Sequence, residues 1–569
     1  MTPVLEAERQ SAAPSVAVPT WTIRSSMLLA TVLVLATVII VRGIRKGEFS
    51  YNVDETQHAM TGMFAADLLR DHPLTHPVEY AYLYYAQYPA LSGVIHWPPL
   101  YYVFEGLTFL LVGPTVVAAR LSILFFALLG ITFWYVLVRE LQGEWMAVAA
   151  SLLLATAPSV LLFEKSVMLE IPCLAFCLGA TLFWIRYLLH ERPGDVYRFA
   201  LFASAAALTK QNAVYLLPFC LFSGLSVAGW RLFVRGPVLK AVAIGVVLTA
   251  PFYSLVYVVH WKTIAMDLTE KGASGAQTAS FYWRAIPEQV GWVTLLLAVV
   301  GVVTCARWAS PKVPAVMLSW IAACYATFTL IGHKEPRYAM YWIPPIAYFA
   351  LGPLFNYFRK PVLRTVGFGA ALAIVTTSAV YAWSFERPTI SGYQPLAERV
   401  TQLSRSGVIL YDAPLPGNFI FFLRANDPGR HFVVLRKALY ASRLKQSGGV
   451  VELIHSQPEL EQLIHDYGVR FFVVSEGIPL KFDSQRILRD ALKGPQFRPV
   501  GTFPVEGRDL ASPNLSLVLY QNMAWTPPTE KFLRIKMLTL DHDIVVPMDR
   551  FNLGDPAPSQ SAPTGGKGQ

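Results

Sequence analysis

Apolar runs long enough to enter a bilayer recur from residue 27 to residue 383, and they decide the architecture before any single motif is read. They fall at 27–44, 116–138, 145–162, 171–189, 199–209, 213–229, 238–259, 288–304, 313–331, 339–354 and 364–383. A hydrocarbon core about 30 Å thick takes about 20 helical residues, so the pattern predicts about eleven transmembrane helices, the shorter ones with protein around their ends. Composition agrees: 54% of residues are hydrophobic and 15% charged, against about 25% charged in a soluble domain. The chain is a polytopic membrane protein. Its formal charge of +10 does not mark a nucleic-acid binder, because Lys and Arg lie in short turns between apolar runs, where they orient a chain in a membrane. All five cysteines (Cys173, Cys177, Cys220, Cys305, Cys324) lie in or beside apolar runs. Cys173 and Cys177 share a helix face with no His or further Cys close by, which points to packing and to no disulfide framework.

The basic residues also predict sidedness. Arg139, the group Arg186, Arg192 and Arg198, the group Arg231, Arg235 and Lys240, the pair Arg307 and Lys312, and the group Arg359, Lys360 and Arg364 occupy alternate turns. With those turns cytoplasmic, residues 1–26 are a cytoplasmic segment leading into a retained signal anchor, since no small-residue cleavage site follows the first run. The segment 98–112 is apolar but breaks the alternation, and reads as a helix lying along or dipping into the outer surface. Residues 27–383 form the membrane domain, with a first external loop at about 45–115. Residues 384–553 read as a soluble extracytoplasmic α/β domain, with strands at 408–411, 431–435 and 469–475 and a helix at 459–467. The Pro-, Ser- and Gly-rich tail 554–569 reads as disordered. The expected location is the inner (cytoplasmic) membrane, with a multi-pass chain.

This topology puts the chemically suggestive residues on one side. The first external loop opens with Asp54-Glu55, followed by His58. Other outer turns hold Glu164, Lys165 and Glu170, then Lys210, then the run His333, Lys334, Glu335, Arg337 and Tyr338. Ionisable groups beside hydrocarbon are costly unless they have a partner or a task. Gathered at one surface, they describe a polar cavity. Plainer readings stand beside this one: Lys210 as a snorkelling interfacial lysine, Glu170 as a structural partner of Lys165 or Lys210, and Glu164 as a helix-end residue. Tyr80, Tyr82, Tyr84, Tyr85 and Tyr88 suit either interface anchoring or sugar stacking.

An ordered set of motifs resembles a known class. Asp54-Glu55 comes early in the first external loop, Pro98-Pro99-Leu100 ends that loop, and Met168-Leu169-Glu170-Ile171-Pro172 opens the fourth span. Thr209-Lys210 lies between two short helices, His333 to Tyr338 fill a late external turn, and an outer domain follows. Over about the first 385 residues this resembles the GT-C membrane glycosyltransferases, in particular bacterial relatives of the protein O-mannosyltransferases and of the lipid A aminoarabinose transferase. One position departs from that pattern: this chain has Glu170 where relatives often have Asp.

The resemblance implies an enzyme that moves a sugar from a polyprenyl-phosphate donor to a lipid, glycan or protein acceptor at the outer membrane face, with inversion. Asp54 is then the general base that takes the acceptor proton, and Glu55 orients the acceptor or tunes Asp54. Lys210, Lys334 and Arg337, with Tyr338, are the expected ligands of the donor phosphate. His58, Glu164, Glu170, His333 and Glu335 are further cavity residues. His58 and His96 with the carboxylates are candidate ligands for a divalent metal ion, although no spacing is diagnostic and the cofactor stays open. Two other readings remain at this point: a lipid or oligosaccharide transporter or flippase, which would carry repeats and midplane charges, and a polysaccharide polymerase.

Overall fold

Helix length, more than hydropathy, decides which of the apolar runs can cross a bilayer. The computed structural model describes residues 20–50, 53–73, 75–91, 97–269, 275–308, 311–356, 361–442, 449–508, 512, 514–537 and 543–553. The tail 554–569, most of the N-terminal segment and His96 lie outside the described residues. The chain divides into two compact units, one formed by Met1–Ile44, Ile95–Phe104 and Arg120–Arg387, the other by Arg45–Val94, Glu105–Ala119 and Pro388–Gln569.

The first unit is helical. Among the described residues, six helices are long and apolar enough to span a membrane: Ile23–Val41, Val116–Gln142, Glu170–His190, Gly236–Val259, Lys312–Leu330 and Arg364–Ser384. Two bent pairs bring the number to eight if each is one span. Length and composition thus give six to eight spans among the described residues, against the expected count of about eleven, with further apolar helices too short to pass alone, such as Leu100–Val112. Several runs fold as shorter pieces, such as Leu216–Val227 behind the 3₁₀ turn Gln211–Tyr215, and Ile343–Asn356 behind the 3₁₀ turn Pro336–Trp342. At 1.5 Å per residue the 14 residues of Ile343–Asn356 reach only about 21 Å. The bends have local causes. Pro158 at the first turn of Pro158–Glu164 has no N–H to continue Glu144–Ala155, and the two helices meet at 67°. Gly291 has φ +79°, a left-handed conformation that favours glycine, where Ala279–Val290 turns through 117° into Trp292–Arg307.

Burial ranks these helices. The apolar window of Gly236–Val259 is 6% buried, that of Glu170–His190 83%. Glu170–His190 is thus the central helix of its unit, and a charged residue at its first turn is enclosed by protein.

The second unit holds a five-stranded sheet in the order Phe432–Leu435, Gly407–Asp412, Val469–Glu476, Ser516–Asn522, Phe497–Pro504. The first three strands are parallel, Ser516–Asn522 runs antiparallel to Val469–Glu476, and Phe497–Pro504 runs antiparallel to Ser516–Asn522, with Leu410 opposite Phe472 and Phe472 opposite Tyr520. Gly407–Asp412 is buried throughout, as expected of a parallel strand covered on both faces. The helix Pro416–Asn426 makes the crossover from Gly407–Asp412 to Phe432–Leu435. Each predicted strand appears within two residues of its expected ends, and the predicted helix is Gln457–Asp466.

The segment 45–119 differs from its sequence reading. It carries Val53–Asp71 and Pro77–Gln87 as well as Leu100–Val112, whereas the sequence singles out a helix only at 98–112. Val53–Asp71 has too many charges to read as a span and too little amphipathic period to read as a surface helix. Its buried face includes Glu55, His58, Thr61 and Asp67, which hydropathy scores as exposed.

Candidate active site

In the first unit, three breaks between helices converge on one carboxylate. Glu170 begins the central helix and is 0% exposed. Lys210 sits in an extended break between Pro193–Ala207 and Gln211–Tyr215 and is 2% exposed. Its Nζ donates to Glu170 Oε1 at 2.5 Å. Arg337, in the 3₁₀ turn Pro336–Trp342, brings Nε to 3.6 Å from the same oxygen. Charges this enclosed persist only when paired, because desolvation of either alone is expensive. Between helices whose ends face one another, the pairing is made by residues far apart in sequence.

A second carboxylate extends the network. Glu335 Oε2 lies 2.5 Å from Arg337 Nε, and Glu335 Oε1 lies 2.9 Å from His333 Nε2 and 3.5 Å from the Tyr338 hydroxyl. The Arg337 guanidinium also stands 5.8 Å from the Tyr338 ring centre, and Trp97 places its ring 5.7 Å from Lys210 Nζ, both within cation–π range. Burial raises the Glu335 carboxyl, but the Arg337 charge and the hydrogen bonds from His333 and Arg337 outweigh it, leaving it below its ordinary 4.5. A carboxyl with a lowered folded value contributes stability fully above 4.5, and loses it as pH falls below that value. The melting-temperature gap between wild type and Glu335→Gln, read in detergent at pH 7, is therefore expected to narrow on acidification below 4.5. A gap that stays constant would remove this role.

The other predicted residues of this unit lie apart. Lys334 donates to the carbonyls of Phe328, Thr329 and Ile331 at 3.3, 2.8 and 2.5 Å. It caps the C-terminal end of Lys312–Leu330, and an ammonium has three donors to give. Glu164 is 2% exposed and lines a small cavity with Arg42, Arg120, Lys165 and Arg387. Lys165 donates to the carbonyls of Ile39 and Arg42 at 2.8 and 3.1 Å, closing the end of Ile23–Val41.

In the second unit, Asp54, Glu55 and His58 occupy the first two turns of Val53–Asp71. A helix N-terminus carries partial positive charge and favours carboxylates there. Glu55 is 0% exposed and accepts the Ser50 N–H at 2.9 Å, while Asp54 is half-buried. The adjacent pair is thus divided into one enclosed and one accessible carboxylate. Among the described residues no group of three or more His, Cys, Asp and Glu has the geometry to hold a metal ion.

Sequence reasoning missed several members of this unit. Asp67 and Arg424 form a buried fork: Arg424 Nε and Nη2 donate to Asp67 Oδ2 at 3.1 and 2.7 Å, and Nη2 reaches Oδ1 at 2.8 Å. The Tyr84 hydroxyl donates to Asp67 at 2.7 Å and the Tyr80 hydroxyl to Asp71 at 2.8 Å. Two tyrosines of the aromatic cluster are thus bound to carboxylates inside the unit. The signal available was the i,i+4 pair Asp67 and Asp71, with Tyr80 and Tyr84 at the same spacing.

Residues 96–255 match the model of the family described as dolichyl-phosphate-mannose-protein mannosyltransferase, a stretch that contains Trp97, Glu170 and Lys210. No curated protein sequence matches the chain. Among solved structures it is similar to ArnT from Cupriavidus metallidurans in the apo state, with TM-score 0.59 and 15% identity over 87% of this chain and 98% of that one. The same protein bound to undecaprenyl phosphate gives TM-score 0.58 and 15% identity over 86% and 97%. A form of the arabinofuranosyltransferase AftD from Mycobacteria gives TM-score 0.50 and 15% identity over 88% of this chain and 42% of its own length. At such identities the likeness shows the fold alone, a GT-C fold with a strand-containing C-terminal domain.

Proposed function

We propose that this GT-C chain, a multi-pass membrane protein related to the mannosyltransferases and to ArnT, moves a sugar from a polyprenyl-phosphate carrier to an acceptor hydroxyl or amine at the outer face of the cytoplasmic membrane. The observation that carries the reading is the enclosed carboxylate oxygen of Glu170 with Lys210 at 2.5 Å and Arg337 at 3.6 Å. Two cations meeting on one oxygen reproduce what a phosphate oxygen requires. The leaving group of the reaction is a phosphodiester that becomes a monoester, so charge grows there in the transition state and fixed cations stabilise it. Lys210 supplies a point charge, Arg337 a planar fork. ArnT has been solved with undecaprenyl phosphate, which supports the lipid-phosphate class of donor here.

Asp54 takes the proton from the acceptor as its oxygen or nitrogen attacks the sugar carbon bonded to the donor phosphate. That bond breaks, the electron pair leaves on the phosphate oxygen, and a single displacement inverts the carbon. Glu55, enclosed and held by the Ser50 N–H, orients the first turn. The alternating basic turns support a cytoplasmic N-terminus and an outer C-terminal domain.

The test compares intact spheroplasts with and without the gene, using a membrane-impermeant glycan label, followed by analysis of lipids and glycans. The expected result is one glycoconjugate missing from the outer face of the deletion strain and restored by the wild-type gene. An unchanged glycoconjugate profile would overturn the transferase reading. A difference seen only after permeabilisation would overturn the orientation.

A further inference from the structure

The Asp54-Glu55 pair is bracketed, before and after it in sequence, by contacts to the C-terminal part of its own unit. Ahead of the pair, the 5% exposed Glu48 accepts the N–H groups of Gly392, Tyr393 and Gln394 at 3.1, 3.1 and 2.9 Å. These open the helix Tyr393–Leu403, whose N-terminus favours an anion. Asn418, 0% exposed, meets Phe49 as a neighbouring strand would: its Oδ1 accepts the Phe49 N–H at 3.2 Å and its Nδ2 donates to the Phe49 carbonyl at 2.9 Å.

Behind the pair, the backbone of Pro416–Asn426 approaches the carboxylate helix closely. A Cβ added at Gly417 would lie 2.1 Å from Thr56 Oγ1, inside contact distance. Three turns further on, Asp67 and Arg424, each 3% exposed, close the contact with their fork. Arg430 and Asp71 add a half-buried pair at 2.6 Å. A solvent-exposed loop end would need none of this. Contacts at residues 48, 49, 56 and 67 leave residues 53–56 little freedom to tilt or slide.

We propose that the helix Pro416–Asn426 is the positioning element of the carboxylate pair, with Arg424, Asn418 and Gly417 as its positioning residues. The C-terminal domain is then an integral part of the reaction centre. Its catalytic consequence rests on the reading of Asp54 as base. Its structural content does not, and the first measurement below needs no substrate.

Hydrogen exchange of the full-length protein in detergent is compared between wild type and the double variant Asp67→Asn/Arg424→Gln, which removes both charges and leaves neither buried alone. Amides of residues 53–62 are expected to exchange at least about tenfold faster, while those of Val469–Glu476 and Ser516–Asn522 stay protected. Gly417→Ala, which presses on Thr56 without touching a charge, is expected to give the same local pattern and serves if the double variant folds poorly. Unchanged exchange at 53–62, or acceleration spread equally over the sheet, overturns the proposal. In membranes with the cell's own lipid extract, each variant should lose about 10- to 10²-fold in maximal turnover. Donor concentration dependence should stay as in wild type. Loosened exchange with full turnover would sink the catalytic consequence, and with it the assignment of Asp54, while the anchoring itself would stand.

Discussion

Asp54→Asn is expected to cut turnover by about 10²- to 10⁴-fold, the usual cost of losing a general base, while the protein still inserts, folds and holds its lipid donor. The amide keeps the size and hydrogen-bonding shape of the carboxylate but accepts no proton. Asp54 is half-buried at the first turn of Val53–Asp71, so the change removes little packing. Glu55→Gln should lose less activity and more stability, because Glu55 is fully enclosed and holds the Ser50 N–H. The measurement is product formed per folded molecule, with the cell's own lipid extract supplying donor and acceptor. An Asp54→Asn protein with near wild-type turnover would end the mechanism.

The second large effect concerns the enclosed pair of the central helix. Lys210→Met removes the partner at 2.5 Å from Glu170 Oε1 and leaves that carboxylate with Arg337 at 3.6 Å. Breaking a buried ion pair from one side costs about 3–5 kcal/mol, whereas neutralising both partners is often close to neutral. Lys210→Met is therefore expected to melt well below wild type, and Lys210→Met/Glu170→Gln to recover most of the loss. Turnover separates structure from chemistry. If Lys210 stabilises the departing phosphate, the double variant stays poorly active although it is folded. A stable double variant with wild-type turnover would reduce Glu170 and Lys210 to a structural pair.

Much of this molecule was legible in the chain. The strands of the C-terminal sheet could be read because parallel strands buried on both faces are continuous apolar runs, as in Val408 to Tyr411 and Phe471 to Val474. Glu170, Lys210, Glu335 and Arg337 were legible as candidates because charges interrupting apolar runs stand out against hydrocarbon. The partner of each was not. Lys334 and Arg337 are three residues apart in one turn, yet one caps a helix end and the other reaches Glu170. Which way a side chain points from an irregular turn depends on the backbone there and on what lies beyond it, and no residue-level pattern encodes that.

The buried fork of Asp67 and Arg424 marks the boundary most plainly. Read locally, Asp67 is one more charge on a polar helix and Arg424 one more basic residue near a helix end. They are 357 positions apart. Hydropathy and charge order along the chain determined a polytopic membrane protein, a strand-containing domain behind it, and a set of ionisable residues too costly to be idle. Tertiary structure decided how many runs are long enough to cross, and which charges neutralise one another. It also decided that the carboxylate helix packs against the C-terminal helix Pro416–Asn426. The reason is physical: burial free energy follows from local composition, whereas pairing depends on distances that only the folded backbone sets.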